Sequence, residues 1–123
     1  MSAAMASQLP PEVERAAHLV VDMLRAESAK YLPKERQPEI RLEDATIVQV
    51  IDPANGLPGY EGTWRNPLNE RVGRLVFNSD GSYYAEYDLV CRHPRDPRFF
   101  VEAVTVWGRG GKISGEPRLI PMV

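Results

Sequence analysis

A chain of 123 residues with 43% hydrophobic and 26% charged residues has the size and composition of one soluble globular domain. Such a chain buries roughly two thirds of its unfolded surface without help from a disulfide or a metal. A net charge of −2 gives no field for drawing in nucleic acid or an anionic membrane, and the single cysteine, Cys91, excludes an internal disulfide and a thiolate metal cage.

Residues 1–9 read as a flexible lead-in and 10–123 as a single α+β domain. The N-terminal stretch MSAAMASQLPPEVER lacks the basic start and continuous apolar core of a signal peptide, and no run approaches the ~18 apolar residues of a membrane span. A cytoplasmic protein without a cofactor is expected. Pro10 and Pro11 open a helix, where the missing N–H groups would lack partners anyway. Glu12 and Glu14 suit its positive end. Val13, Ala16, Ala17, Val20 and Leu24 recur at helical spacing as an apolar stripe, and Arg15, His18, Asp22 and Arg25 line the opposite side. Pro33 stops the helix soon after Tyr31. About twenty residues give a helix about 30 Å long, enough to cross a sheet.

After the helix the period changes. EIRLEDATIVQVID is rich in Ile, Val and Thr and reads as a strand, with a break expected near Asp44. Residues 52–71, with their prolines and glycines, read as a long loop carrying at most a short strand near Thr63 and Trp64. Three strands are then expected at Val72–Asn78, Ser82–Arg92 and Arg98–Trp107. A last one, Lys112–Ile120, is confined to a sheet edge by Pro117. A three-residue turn, Ser79-Asp80-Gly81, sets Leu75 opposite Ala85, Phe77 opposite Tyr83 and Arg74 opposite Glu86, which separates apolar from polar faces. Alternation then points Tyr83, Ala85, Tyr87, Leu89 and Cys91 toward the helix. On the following strand it assigns Phe99, Val101, Ala103 and Trp107 to the core. It leaves Tyr84, Val90, Phe100, Val104 and Val106 on an outer face too apolar for a bare solvated sheet.

The densest chemistry lies in VCRHPRDPRFF, residues 90–100. Cys91 and His93 stand on one face with their bases about 6.5 Å apart. A nucleophile also needs an oriented base and oxyanion donors, and only Asp96 offers itself as a third member. Cys91 is therefore expected in the core and His93 in a turn. Arg92, Arg95 and Arg98 form a candidate anion site. Twelve of the fifteen basic residues are Arg, so an Arg cluster carries less meaning here, and the prolines with Asp96 describe a polar connection equally well. GRGGKIS lacks the spacing of a phosphate loop and NSDGS that of a calcium loop. His18 and Asp22 on one helix face read as solvated rather than as metal ligands.

The expected architecture is one long N-terminal helix packed on a four- to five-stranded antiparallel meander. Its layout resembles that of cystatin-like and other helix-on-curved-sheet folds, a layout shared by inhibitors, subunits, carriers and some enzymes. Two functions follow as expectations. The first is a small non-catalytic protein acting through contacts with itself or another protein, not with nucleic acid or membrane, through Tyr84, Val90, Phe100, Val104 and Val106. The second is a small-molecule binder or enzyme with an aromatic cavity between helix and sheet, lined by Trp64, Tyr83, Tyr87 and Trp107.

Overall fold

The computed structural model describes residues 9–122 and the backbone of a two-residue strand, Ala3–Ala4. The flexibility expected of residues 1–9 thus falls mostly outside the described residues. Helix α1 spans Pro11–Ser28. Seven strands form one antiparallel meander in chain order: β1 (Ala3–Ala4), β2 (Thr46–Ile51), β3 (Pro58–Arg65), β4 (Arg71–Phe77), β5 (Ser82–Arg92), β6 (Phe99–Arg109) and β7 (Lys112–Pro121). The fold is α+β, a helix on a meander of six long strands in a cystatin-like layout. No helix among the described residues is long and apolar enough to cross a membrane.

The helix lies over β5, β6 and β7. Ala17, Val20, Val21 and Leu24 are its buried residues of apolar type, and together with Leu75, Ala85, Val104 and Val106 they belong to the main core. Burying a Val or Leu side chain fully contributes roughly 1.5–3 kcal/mol, so this stripe outweighs the helix's own propensity. The polar stripe of Arg15, His18, Asp22 and Arg25 is exposed, as its spacing predicts. Past the helix, Ile40 and Leu42 are buried in the same core, where the sheet is not roofed by α1. Leu42–Asp44 is a single 3-10 turn, so the expected break near Asp44 is where β2 is about to begin.

The segment 52–71 departs from its loop reading. Eight of its residues form β3, hydrogen-bonded between β2 and β4. Gly59 and Gly62 of this strand are positions of close packing. A Cβ at Gly62 would stand 2.9 Å from Leu75 Cδ1, and one at Gly73 of the neighbouring strand 2.7 Å from Tyr87 Cδ2 and 3.0 Å from Trp64 Cε3. The glycines mark this sheet as tightly filled, not as broken. The true loops are two short turns stapled by Asx bonds. Asp52 Oδ1 accepts the N–H of Ala54, and Asn66 Oδ1 accepts those of Leu68 and Glu70.

The β4–β5 hairpin has the expected register: Leu75 faces Ala85, Phe77 faces Tyr83 and Arg74 faces Glu86. Gly81 sits at φ +89°, the left-handed conformation that closes a three-residue turn.

On β6 the face assignment is corrected. β5 and β6 pair Tyr84 with Trp107, Ala85 with Val106 and Tyr87 with Val104. Odd residues of β5 therefore meet even residues of β6. Val104 and Val106 are fully buried beneath the helix, while Trp107 stands on the outer face with 38% of its surface exposed. Ala103 pairs with Asp88 and Arg118, on the outer side, although its small side chain is covered. The register slips between Asp88 and Cys91, so that Cys91 meets Val101, and β6 slips against β7 between Val101 and Ala103. Each slip inserts one residue. Val101 thereby points inward only three positions from Val104, a spacing that strict alternation forbids.

Candidate functional site

The turn that joins β5 to β6 holds the thiol, the imidazole and three guanidinium groups, and its geometry disperses them. Cys91 is buried with Leu32 and Val101 in a small satellite core. Burial pushes its thiol above its ordinary value, against a weak opposing pull from Arg36, which disfavours the thiolate. His93 serves the backbone. Its Nδ1 accepts the N–H of Arg95 at 3.1 Å and of Asp96 at 3.0 Å, and its ring stands edge-on to Tyr31. Arg95 donates to the carbonyl of Lys30 just past the end of α1 and lies over the Tyr31 ring. Arg98 makes a two-pronged contact with Asp96 at 3.0 and 2.8 Å. Hydrogen bonds from Arg98 hold the Asp96 carboxyl down at about 2. Each of Arg95 and Arg98 thus has its own partner, and neither converges with Arg92. The stretch is a capped connection that ties the sheet to the helix end.

The aromatic residues expected around an internal cavity are placed apart. Trp64 is buried, its Nε1 donates to Arg41 O at 2.8 Å, and it packs edge-on against Tyr87 with ring centres 5.6 Å apart. Tyr83 packs against Phe77, and Trp107 lies on the opposite side of the sheet. These four side chains do not line one cavity. Tyr83 alone borders an open cleft, at the N-terminal half of α1.

The outer face of the sheet carries a connected set of polar side chains. Along β5 it carries Tyr84, Glu86 and Asp88, flanked by Arg74 on β4 and Arg118 on β7. Arg118 Nη2 donates to the Tyr84 hydroxyl at 3.0 Å and Nη1 donates to Glu86 Oε2 at 3.3 Å. The Tyr84 hydroxyl lies 3.3 Å from Glu86 Oε1, and Arg74 lies over the Tyr84 ring and 3.8 Å from the same carboxylate. Burial alone would raise the Glu86 carboxyl. Hydrogen bonding and charge from Arg118, with help from Tyr84 and Arg74, outweigh it and hold the group below its ordinary value. Asp88 goes the other way, raised first by burial and then by Glu86 and Glu102. Next to Tyr84 a shallow groove of about 300 Å³ is bounded by Trp107, Thr105, Pro117 and Arg118.

At the far end of this face the bulge brings out Val90. It stands at φ +51°, a left-handed conformation that costs a non-glycine residue roughly 1–2 kcal/mol, and it is 63% exposed. Val90 has no partner across the slip, and Arg92, next to the inward Cys91 and paired with Phe100, lies on the outer side. Phe100 pairs with Arg92 on one side and with Ile120 on the other, and Ile120 is 42% exposed. Of the five residues expected to form a contact surface, Tyr84 and Phe100 lie on the outer face, Val90 is exposed in the bulge at its end, and Val104 and Val106 are core. Trp107, Ile120 and Arg118 join that face without having been expected there. The pairing of Tyr84 with Trp107 was the signal for the first of these. It depends on the length of the connection after Arg92, which alternation alone does not count.

No protein-family model, no curated protein and no solved structure matches this chain. The fold and site define a class by layout: a helix-backed antiparallel sheet whose free face carries a charged network between two partly apolar ends.

Proposed function

We propose that this is a non-catalytic protein that acts through contacts with another polypeptide, using the outer face of its sheet, with self-association as the simplest case. The observation that carries the reading is Val90. A β-branched side chain is held in a left-handed conformation and left mostly in water. Strain of this kind persists only where the surrounding structure enforces it, and it gathers at functional positions. With Phe100 and Ile120, Val90 makes an apolar ridge at one end of a face whose centre is polar and mixed in charge. Contact patches combine an apolar core with a polar rim; in this reading the ridge is the core of the patch and the charged middle of the sheet face is part of its rim. Every titratable group at the centre of the face is engaged with a neighbour or with like charges, an arrangement suited to fixing orientation rather than to moving protons.

Sedimentation at about 10 and 300 μM, concentrations spanning the micromolar affinities of ordinary protein pairs, tests the simplest case. The mass should rise toward that of a dimer at the higher concentration. Val90→Asp should return it to that of a monomer while leaving the helix content unchanged. A monomer at both concentrations overturns self-association and leaves a different polypeptide as the partner to be sought.

A further inference from the structure

The cleft beside Tyr83 is separate from the outer face and does not depend on that reading. It has a volume of about 540 Å³, within the range of roughly 300–1,000 Å³ typical of small-molecule sites. One wall is the first half of α1 and the other is formed by the ends of the β4–β5 and β6–β7 hairpins. The wall from the hairpins is low because its turns are glycines. A Cβ at Gly81, Gly110 or Gly111 would meet no atom within 4 Å. As a result Val13 and Ala16, which belong to the apolar stripe of the helix, are only half-buried, and Leu19 is 45% exposed. The hydroxyl of Tyr83 lies 2.9 Å from Gly110 O and 3.3 Å from Lys112 O. Those partners hold its polar end at the hairpin, so the ring and Phe77 present apolar surface to the cleft.

The rim supplies charge in a particular proportion. Asp80 is engaged: Oδ1 accepts the N–H and the hydroxyl of Ser82, and Oδ2 accepts Arg109 Nη2 at 2.9 Å. Arg109 uses only that nitrogen, so the rest of its guanidinium has no acceptor among the described residues. Arg15, on the opposite wall, has neither an ion-pair nor a hydrogen-bond partner among them. One exposed carboxylate, Glu12, shares the rim. Donors therefore exceed acceptors, which favours an anion, while Glu12 opposes a second negative charge on the ligand.

We propose that this cleft binds a small amphipathic monocarboxylate. Its apolar body lies on Val13, Ala16, Leu19 and Phe77, and its carboxylate sits at the mouth between Arg15 and Arg109. The probes are sodium octanoate and 1-octanol, which share a chain and differ in the charge of the head. Titration of the isotope-labelled full chain, followed by amide chemical shifts, should give saturable changes at Ala16, Leu19, Gly110 and Gly111 with octanoate. Octanol should bind about twofold to fivefold more weakly, the scale of one partly exposed charge contact. Arg15→Glu should weaken octanoate by about fivefold to tenfold and leave octanol unchanged. Leu19→Glu, an exposed helix position where the fold tolerates a carboxylate, should abolish binding of both. The idea is overturned if octanoate produces no saturable change at these amides, or if Leu19→Glu binds it as before. Equal binding of octanol and octanoate overturns the anionic part of the proposal.

Discussion

From Tyr83 to Asp88, strand β5 alternates without interruption: Tyr83 and Ala85 are buried beneath the helix, and Tyr84, Glu86 and Asp88 stand on the free face. From Leu89 to Arg92 the same strand carries an extra residue, a left-handed valine and a change of partner register. The two halves share a strand and a neighbour, yet only the first obeys the period of two. Regular pairing builds the main core here, while the irregular stretch exposes Val90 and turns Cys91 and Val101 into a satellite core. A bulge does this cheaply because it re-aims side chains without ending the sheet.

The largest expected effect comes from exchanging the two environments. Val106→Asp places a carboxylate under the helix, where Val106 is fully buried in the apolar core, and should cost several kcal/mol or prevent folding. Val90→Asp, on the exposed bulge, should change stability by no more than about 0.5 kcal/mol. Urea denaturation of the pair measures the contrast directly. A folded, stable Val106→Asp protein would mean that the inner and outer faces of β6 have been exchanged.

A second test addresses the regular half. Gly73→Ala drives a methyl to within 2.7 Å of Tyr87 and 2.9 Å of the Glu86 carbonyl. The backbone carbonyl cannot swing aside as a side chain can, so a cost of about 1–3 kcal/mol is expected. A neutral result in the same denaturation experiment would show that the Trp64–Tyr87 contact has room to relax.

These particulars also explain what the sequence could disclose. The helix, its buried stripe and the β4–β5 register were legible because each rests on local signals: proline at the start, a period of 3.6, and a glycine at the one turn position that needs φ above zero. β3 was not, because Pro58, Gly59 and Gly62 carry the composition of a loop, although the two glycines sit where a Cβ would press on Phe77 O and Leu75. The face of β6 was not, because it depends on how many residues the His93–Arg98 connection consumes. That number follows from a turn held by His93 Nδ1, a contact that no periodicity encodes. The consequence for the site was direct. Two of its five expected contact residues, Val104 and Val106, belong to the core, and Trp107, which alternation assigns to the core, is exposed.

Val90→Gly sharpens the comparison on the irregular half. Glycine adopts φ +51° without the steric penalty, offset in part by its greater freedom in the unfolded chain. Stability should rise by about 0.5–1 kcal/mol, while association through the ridge should weaken. A gain in stability without loss of association would mean that the strain serves the sheet alone. A loss of stability would mean that the valine side chain packs more than its exposure implies.

The smallest effect separates the two acids that sit side by side on the free face. In the folded protein Asp88 is raised above its ordinary value near 3.8, first by burial and then by Glu86 and Glu102. The native state therefore holds that proton more tightly than the unfolded chain does, and the ionised form destabilises the fold at neutral pH. The penalty is relieved as pH falls through the raised value and is gone below the ordinary one. Glu86 has the opposite sign. Its depressed value adds stability above the ordinary glutamate range, and that stability is lost as pH falls through the folded value. Asp88→Asn should thus be more stable than the parent at pH 7 and indistinguishable from it at about pH 3. Glu86→Gln should be less stable at pH 7, since Arg74 and Arg118 lose the carboxylate between them. Thermal unfolding of both variants at the two pH values decides the matter. If Asp88→Asn is the weaker protein at pH 7, then Arg118 and Arg71 neutralise that carboxylate, and the charge on the free face is already balanced before any partner arrives.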